Sequence, residues 1–183
     1  HESVIFRRDN SHYEKLDGVE RCIDDELPFE IPENWRWCKI GTIFTLQAGK
    51  NIQAAEIHEN PFADSYPCYG GNGIRGYVAI SNRTGDYPII GRQGALCGNI
   101  NRATGEFYAT EHAVCVETYS QISVAWACLF LTALNLNQYA TATAQPGLAV
   151  ANINEVYIPL PPLAEQHRIV QQIEELLPLV KGL

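Results

Sequence analysis

The chain opens with SVIFRRDNSHYEKLDG over residues 3–18, where apolar and polar positions alternate on both sides of Asp9-Asn10-Ser11. Period-two alternation interrupted by turn-forming residues predicts a β-hairpin that ends near Gly18. Asp24-Asp25-Glu26 and the proline-containing LPFEIPENW follow, so residues 1–27 read as an acidic leading arm or linker. Past Pro32, Asn34 is a cap candidate, Trp37, Ile40 and Phe44 make an apolar stripe, and Gly49 is a stop. That pattern fits a short helix or strand followed by a loop. Residues 66–117 hold apolar runs of four to six residues, each bounded by Gly, Asn, Asp or Pro. Several short strands joined by tight turns are predicted there. From Gln121 to Leu136 the apolar run is too continuous for alternation and too long for a typical strand, which predicts a largely buried helix.

The remainder changes character. Gln145-Pro146-Gly147 marks a turn and Ile153 to Ile158 a short edge element, after which Pro159, Pro161 and Pro162 force an extended path that ends the domain. In LAEQHRIVQQIEELLPLVKGL, Ile169, Ile173, Leu176 and Val180 are spaced by 4, 3 and 4 residues, the seam of a helix that meets another helix. Val170 and Leu177 widen that stripe, and Pro178 predicts a kink or an end. The expected fold is α+β. A single mixed domain over residues 28–160, with Gly-rich short strands and a buried helix, precedes a projecting C-terminal helix over 161–183.

At 183 residues and 46% hydrophobic content the chain suits one globular core rather than a disordered polypeptide. It contains no Met and begins His1-Glu2-Ser3, as expected of a segment of something longer. The longest apolar run, Val124 to Leu131, falls well short of the roughly 20 residues of a membrane span. No basic, apolar leader precedes it, and the six scattered Cys form no Cys-x-x-Cys pair, so a cytoplasmic protein with reduced thiols is expected.

The net charge of -8 taken as an average argues against a nucleic-acid ligand, but its distribution reverses that inference. Residues 1–34 carry ten acids and four bases, whereas residues 35–154 carry seven of each. Within the centre, residues 65–105 place Arg75, Arg83, Arg92 and Arg102 against Asp86 alone, interleaved with Tyr66, Tyr69, Tyr77 and Tyr87. A basic, aromatic surface is expected inside an acidic chain.

Candidate chemistry narrows quickly. Asn60-Pro61-Phe62 lacks the second proline of the tetrad by which adenine methyltransferases hold a flipped base. Gly70-Gly71-Asn72-Gly73 and Gly91-Arg92-Gln93-Gly94 match neither a P-loop nor a dinucleotide fingerprint. As tight turns, however, they present Asn72, Arg75, Arg92 and Gln93, side chains suited to adenine and guanine edges. The alternative is that the glycines serve hairpin geometry alone and the arginines are simply solvated. Cys97 or Cys115 with His112 and Glu111 supplies the residue types of a thiol hydrolase, although Cys115 lies in an apolar run where thiols normally pack. The His and Cys positions lack metal-ligand spacing.

PLPPLAEQHRIVQQIEELLPLV resembles the segment that follows a target-recognition domain in the specificity subunits of type I restriction-modification enzymes. IPENWRWCKIGTI resembles the start of such a domain, YGGNGIRGY and IIGRQGALCGNI its internal strand-turn-strand elements, and NQYATATAQPGLAVANI its closing segment. Residues 28–183 are covered. The resemblance implies a non-catalytic module that reads one half of a split site in double-stranded DNA. It further implies that S-adenosylmethionine, ATP and Mg belong to partner methyltransferase and restriction subunits, with no cofactor in this chain. The expected DNA contacts are Lys50, Arg83 and Arg102 to phosphates and Asn72, Arg75, Arg92 and Gln93 to bases, with the turn Thr143 to Gly147 a weaker candidate. The seam Ile169, Ile173, Leu176 and Val180 would meet a methyltransferase subunit, a second recognition domain or its own copy. A scaffold domain whose basic turns are incidental is the competing expectation.

Overall fold

A computed structural model describes residues 3–94, 96–141 and 146–181, the side chains of 179–181 excepted. The leading segment is more than a hairpin. β1 (Ser3–Arg8), β2 (Ser11–Leu16) and β3 (Val19–Cys22) form a three-stranded antiparallel sheet. Asp9 and Asn10 take positive φ at the first turn, and Asp17 and Gly18 repeat that geometry at the second, the backbone hand that matches strand twist. All four residues of β3 are exposed, so no buried face marks it in the sequence.

Trp37, Ile40 and Phe44 are buried as the apolar stripe requires, but on three successive elements: β4 (Arg36–Lys39), the single turn α1 (Ile40–Ile43) and β5 (Phe44–Ala48). α1 begins after Lys39, and Asn34 caps nothing in it. The Gly-rich centre supplies β6 (Tyr66–Gly70), β7 (Gly73–Val78), β8 (Arg83–Gly91), β9 (Ile100–Ala109) and β10 (Ala113–Thr118). With β5 they make a six-stranded sheet in the order β5-β10-β8-β9-β6-β7, antiparallel except where β6 meets β9. The sheet curls: Lys50 N, just past β5, and Asn82 Nδ2 both donate to Ala109 O at the end of β9, each at 2.9 Å.

α2 (Val124–Leu134) is the expected apolar helix, with Ser123 Oγ accepting from Trp126 N and a stop where Asn135 turns left-handed. It drives Trp126, Ala127 and Leu131 into a core shared with Ile90, Val114, Val116 and Ile158. Its other positions are half-covered, or exposed at Thr132 and Ala133, and α4 (Leu163–Lys181) lies along it. Between them, residues 150–154 form α3 (Val150–Asn154), so the edge element β11 (Tyr157–Leu160) starts later than the pattern predicts and runs through Pro159. Among the described residues β11 pairs only with β4, which leaves room for a residue without an N–H. α4 is rooted before it projects. Gln166, 1% exposed, accepts from Ser123 N at 2.8 Å and donates to Gln121 O and Pro161 O at 3.1 and 2.9 Å. Ile169 and Val170 pack against the main core, whereas Leu176 and Leu177 are exposed and Pro178 lies inside the helix.

One buried carboxylate ties the leading sheet to this body. Glu14, fully buried on β2, accepts from Ser3 Oγ at 2.6 Å, Tyr157 OH at 3.0 Å, and Arg21 Nη2 and Nε at 2.7 and 3.1 Å. Lys39 Nζ, 2.6 Å from Glu14 Oε1, also reaches Glu155 at 2.8 Å. Burial alone would raise the Glu14 carboxyl, but the bonds from Lys39, Ser3, Arg21 and Tyr157 outweigh it and hold the group down at about 2. Burial, and then the bond to Glu14, push the Tyr157 hydroxyl up to about 12.

The depressed Glu14 carboxyl contributes stability that is complete above its ordinary value of 4.5 and is lost as pH falls toward about 2. Hydrogen exchange of residues 3–22 is therefore expected to accelerate across that window. Glu14→Gln should abolish this pH dependence and cost on the order of 3 kcal/mol in chemical denaturation, since it strands Lys39 and Arg21 beside a neutral amide. A flat exchange profile between those pH values would contradict the assignment.

Candidate nucleic-acid interface

Four stretches of backbone converge at one end of the six-stranded sheet. Gly49 N donates to Ala113 O at 3.0 Å, Thr110 N to Tyr69 O at 3.0 Å, and Arg92 N to His112 O at 2.8 Å. Their closeness depends on missing side chains: a Cβ on Gly91 would lie 1.9 Å from Gly71 O, and one on Gly49 would lie 2.0 Å from Ala109 O. The closing segment completes the arrangement, with Leu148 N donating to Arg92 O at 2.9 Å and Gly94 N to Pro146 O at 3.1 Å. The glycines that suggested close approach to a ligand thus serve first to let backbone approach backbone.

The result is an open cleft of about 550 Å³ whose walls include Asn72, Arg75, Gln93, Leu96 and His112. Three of the four expected base-reading residues, separated by up to 21 positions in the chain, share it. The fourth, Arg92, borders an adjoining hollow with Gln93, Gly147 and Leu148. Lys50 is exposed where the chain leaves β5, against Ala109. Arg83 and Arg102 are held elsewhere. Arg83 Nη2 donates to Gln47 Oε1 at 2.6 Å, and the Arg102 fork takes both Asp86 oxygens at 2.8 and 2.6 Å. Asp86, and more weakly Glu174 of α4, also add negative field at Arg102, which places it toward the helices rather than the cleft. Of the weaker candidates, residues 143–145 lie outside the described residues, and so does the side chain of Val180.

The arginines divide by partner. Among the described residues, Arg7, Arg8, Arg21, Arg36, Arg83, Arg102 and Arg168 each donate to a protein acceptor. The guanidinium groups of Arg75 and Arg92 make no such bond to the described residues. Guanidinium groups left free beside an open cleft are available to an acceptor-rich ligand.

The thiol chemistry does not assemble. Cys97 and Cys115 are each 2% exposed; Asn137 Nδ2 donates to Cys97 O and Sγ, and Cys115 packs with Tyr69, Ile89 and Phe107. Burial pushes the Cys115 thiol up, more than the nearby Arg83 lowers it. The His112 ring lies beside Glu111, with Nε2 3.2 Å from Oε1, and its backbone N donates to Thr110 Oγ1 at 3.4 Å. Asn60-Pro61-Phe62 is an exposed turn in which Phe62 N donates to Ser65 Oγ. Among the described residues, no cluster of three or more His, Cys, Asp or Glu could hold a metal, and no helix is long and apolar enough to cross a membrane.

The family model for the type I restriction modification DNA specificity domain matches residues 32–180. The chain belongs to that family. This specificity domain is 50% identical over 128 residues to the type I restriction enzyme EcoprrI specificity subunit of Escherichia coli, covering 69% of the chain and 32% of that protein. It is 28% identical over 116 residues to a putative type I restriction enzyme specificity subunit, S.HindORF215P, of Haemophilus influenzae, covering 62% of the chain and 30% of that protein. It therefore spans about a third of the length of the curated relatives it matches. The fold is similar to part of the S subunit of the type I restriction-modification system of M. genitalium, with a TM-score of 0.68 at 16% identity over 84% of this chain and 42% of that one. The HsdS subunit of Thermoanaerobacter tengcongensis gives 0.65 at 19% identity over 85% and 40%.

The sequence pattern misses one wall of the specificity domain's cleft, Leu96, and the neighbour that holds Asn72, Asn99 of an adjacent hollow. Asn99 Nδ2 donates to Asn72 Oδ1 at 2.9 Å, so the two amides act together, and Leu96 contributes an apolar wall that is 54% exposed. A separation of 27 residues hides the first pairing, which depends on β6, β8 and β9 being neighbours.

If the backbone approach at Gly91 shapes the cleft, Gly91→Ala should drive the turn at Gly71 away from Arg92 and Gln93. An unfolding midpoint lowered by several degrees, from an overpacking cost of about 1–3 kcal/mol, is the expected calorimetric result. An unchanged midpoint would show that the approach is not needed.

Proposed function

We propose that this specificity domain binds double-stranded DNA across the glycine-walled cleft and reads one half of a bipartite site. The observation that carries the reading is the pair of uncommitted forks, Arg75 and Arg92, at a cleft that also presents Asn72 and Gln93. Arg suits the acceptor pair of guanine and Asn or Gln the mixed edge of adenine, so these side chains supply direct readout. Lys50, exposed beyond the cleft, meets phosphate. Arg83 and Arg102, already bonded to Gln47 and Asp86, add to the field rather than making dedicated contacts.

The partners follow from the same reading. α4 leaves the domain with Ile173 half-buried and Leu176 58% exposed, and this seam assembles with methyltransferase subunits, and through them the restriction subunit, or with a second recognition domain. Methyl transfer and ATP-dependent cleavage belong to those cytoplasmic partners, which bring S-adenosylmethionine, ATP and Mg.

Fluorescence anisotropy with cognate and scrambled duplexes tests the reading. Cognate duplex is expected to bind more tightly, Arg92→Ala to narrow the difference by about tenfold, and Arg102→Ala to change either affinity by less than about twofold. Lys50→Ala should weaken both duplexes alike and reduce the slope of log affinity against log salt by about 1. Equal, negligible binding of both duplexes would leave the scaffold reading in its place.

A further inference from the structure

Arg75 is aimed by a device that no other described basic side chain has. In the β6/β7 ladder Cys68 pairs with Gly76 and Tyr69 with Ile74, which makes Arg75 the extra, unpaired residue of a β-bulge. A bulge breaks the alternation of the strand and redirects the side chain it carries. Gly70 lies beneath: a Cβ there would be 3.6 Å from Arg75 Cβ and 3.7 Å from its Cδ, so the arginine stem rests across bare backbone. The stem is thereby held at the wall of the cleft that Asn72 and Gln93 also line. Among the described residues its guanidinium nitrogens are not spent on any protein acceptor.

A guanidinium has five donors and no acceptor. In the major groove adenine sets a donor beside its acceptor, cytosine shows a donor, and thymine shows one acceptor beside a methyl group; guanine alone offers two adjacent acceptors, N7 and O6. A phosphate also accepts, but such a contact tolerates any flexible cation and makes no use of a bulge and a glycine bed. Resting on the DNA-reading role proposed above, we infer that Arg75 is a specificity-determining residue that reads a guanine of the half-site through its planar fork.

Selection from randomised duplexes, performed with the full chain and with Arg75→Lys, tests the inference. The unmodified chain is expected to select a guanine at one position, and 7-deazaguanine placed there should weaken binding. Arg75→Lys keeps the charge and loses the fork. It should therefore reduce the guanine preference at that position by about tenfold, while the thermal midpoint is unchanged. If Arg75→Lys retains the guanine preference, the planar fork is not what reads that base and the inference fails while DNA reading stands. If the position that relaxes is not a guanine, the inference fails in the same way. If the unmodified chain selects no sequence at all, DNA reading itself fails and the inference falls with it.

Discussion

The cleft at the end of the six-stranded sheet exists because backbone segments come closer together than any side chain would allow. The Gly71 carbonyl occupies the space where a Gly91 Cβ would stand, and the Ala109 carbonyl does the same at Gly49. From these two contacts follow the proximity of the β6/β7 turn to the end of β8, the seating of the closing segment on residues 92–94, and the gathering of Asn72, Arg75, Arg92 and Gln93 at one end. Hydrophobic burial determines the rest of the molecule, but it is not what shapes this region. The cleft is formed by hydrogen-bonded main chain, so side chains on its rim can vary without removing the frame beneath them.

Buried polar groups organise the periphery in a comparable way. Glu14 is surrounded by four donor residues and joins the leading sheet to β4 and β11, and Gln166 joins the root of α4 to the loop before α2. Each is nearly or fully buried and well supplied with partners, the condition under which a buried polar residue adds specificity of docking rather than a penalty. An apolar residue at either place would let the attached element slide. A charge or amide with several fixed partners admits one arrangement.

Much of this was legible in the chain itself. The continuous apolar run became α2, and the bounded short runs became β6 to β10. Local signals suffice where the determinant is local. The stripe of Trp37, Ile40 and Phe44 was readable as buried but not as strand, turn and strand, because burial of three positions does not specify the backbone between them. The third strand of the leading sheet was illegible for the opposite reason, since Val19 to Cys22 bury nothing. Among the candidate site residues, residue type alone could not separate Arg75 and Arg92 from Arg83 and Arg102. The separation depends on Gln47 and Asp86, which become neighbours only through strand register. The bulge at Arg75 is a property of two strands together and has no signature in either one.

The root of α4 has a further mechanical consequence. A helix fixed by Gln166 at its first turns and packed through Ile169 and Val170 cannot swivel on the domain, so its distal half moves as an extension of the sheet. Each residue of such a rod advances about 1.5 Å and turns about 100°. Whatever is carried on its far turns is therefore set in both distance and azimuth relative to the cleft, and lengthening the rod by one residue would shift the phase far more than the reach.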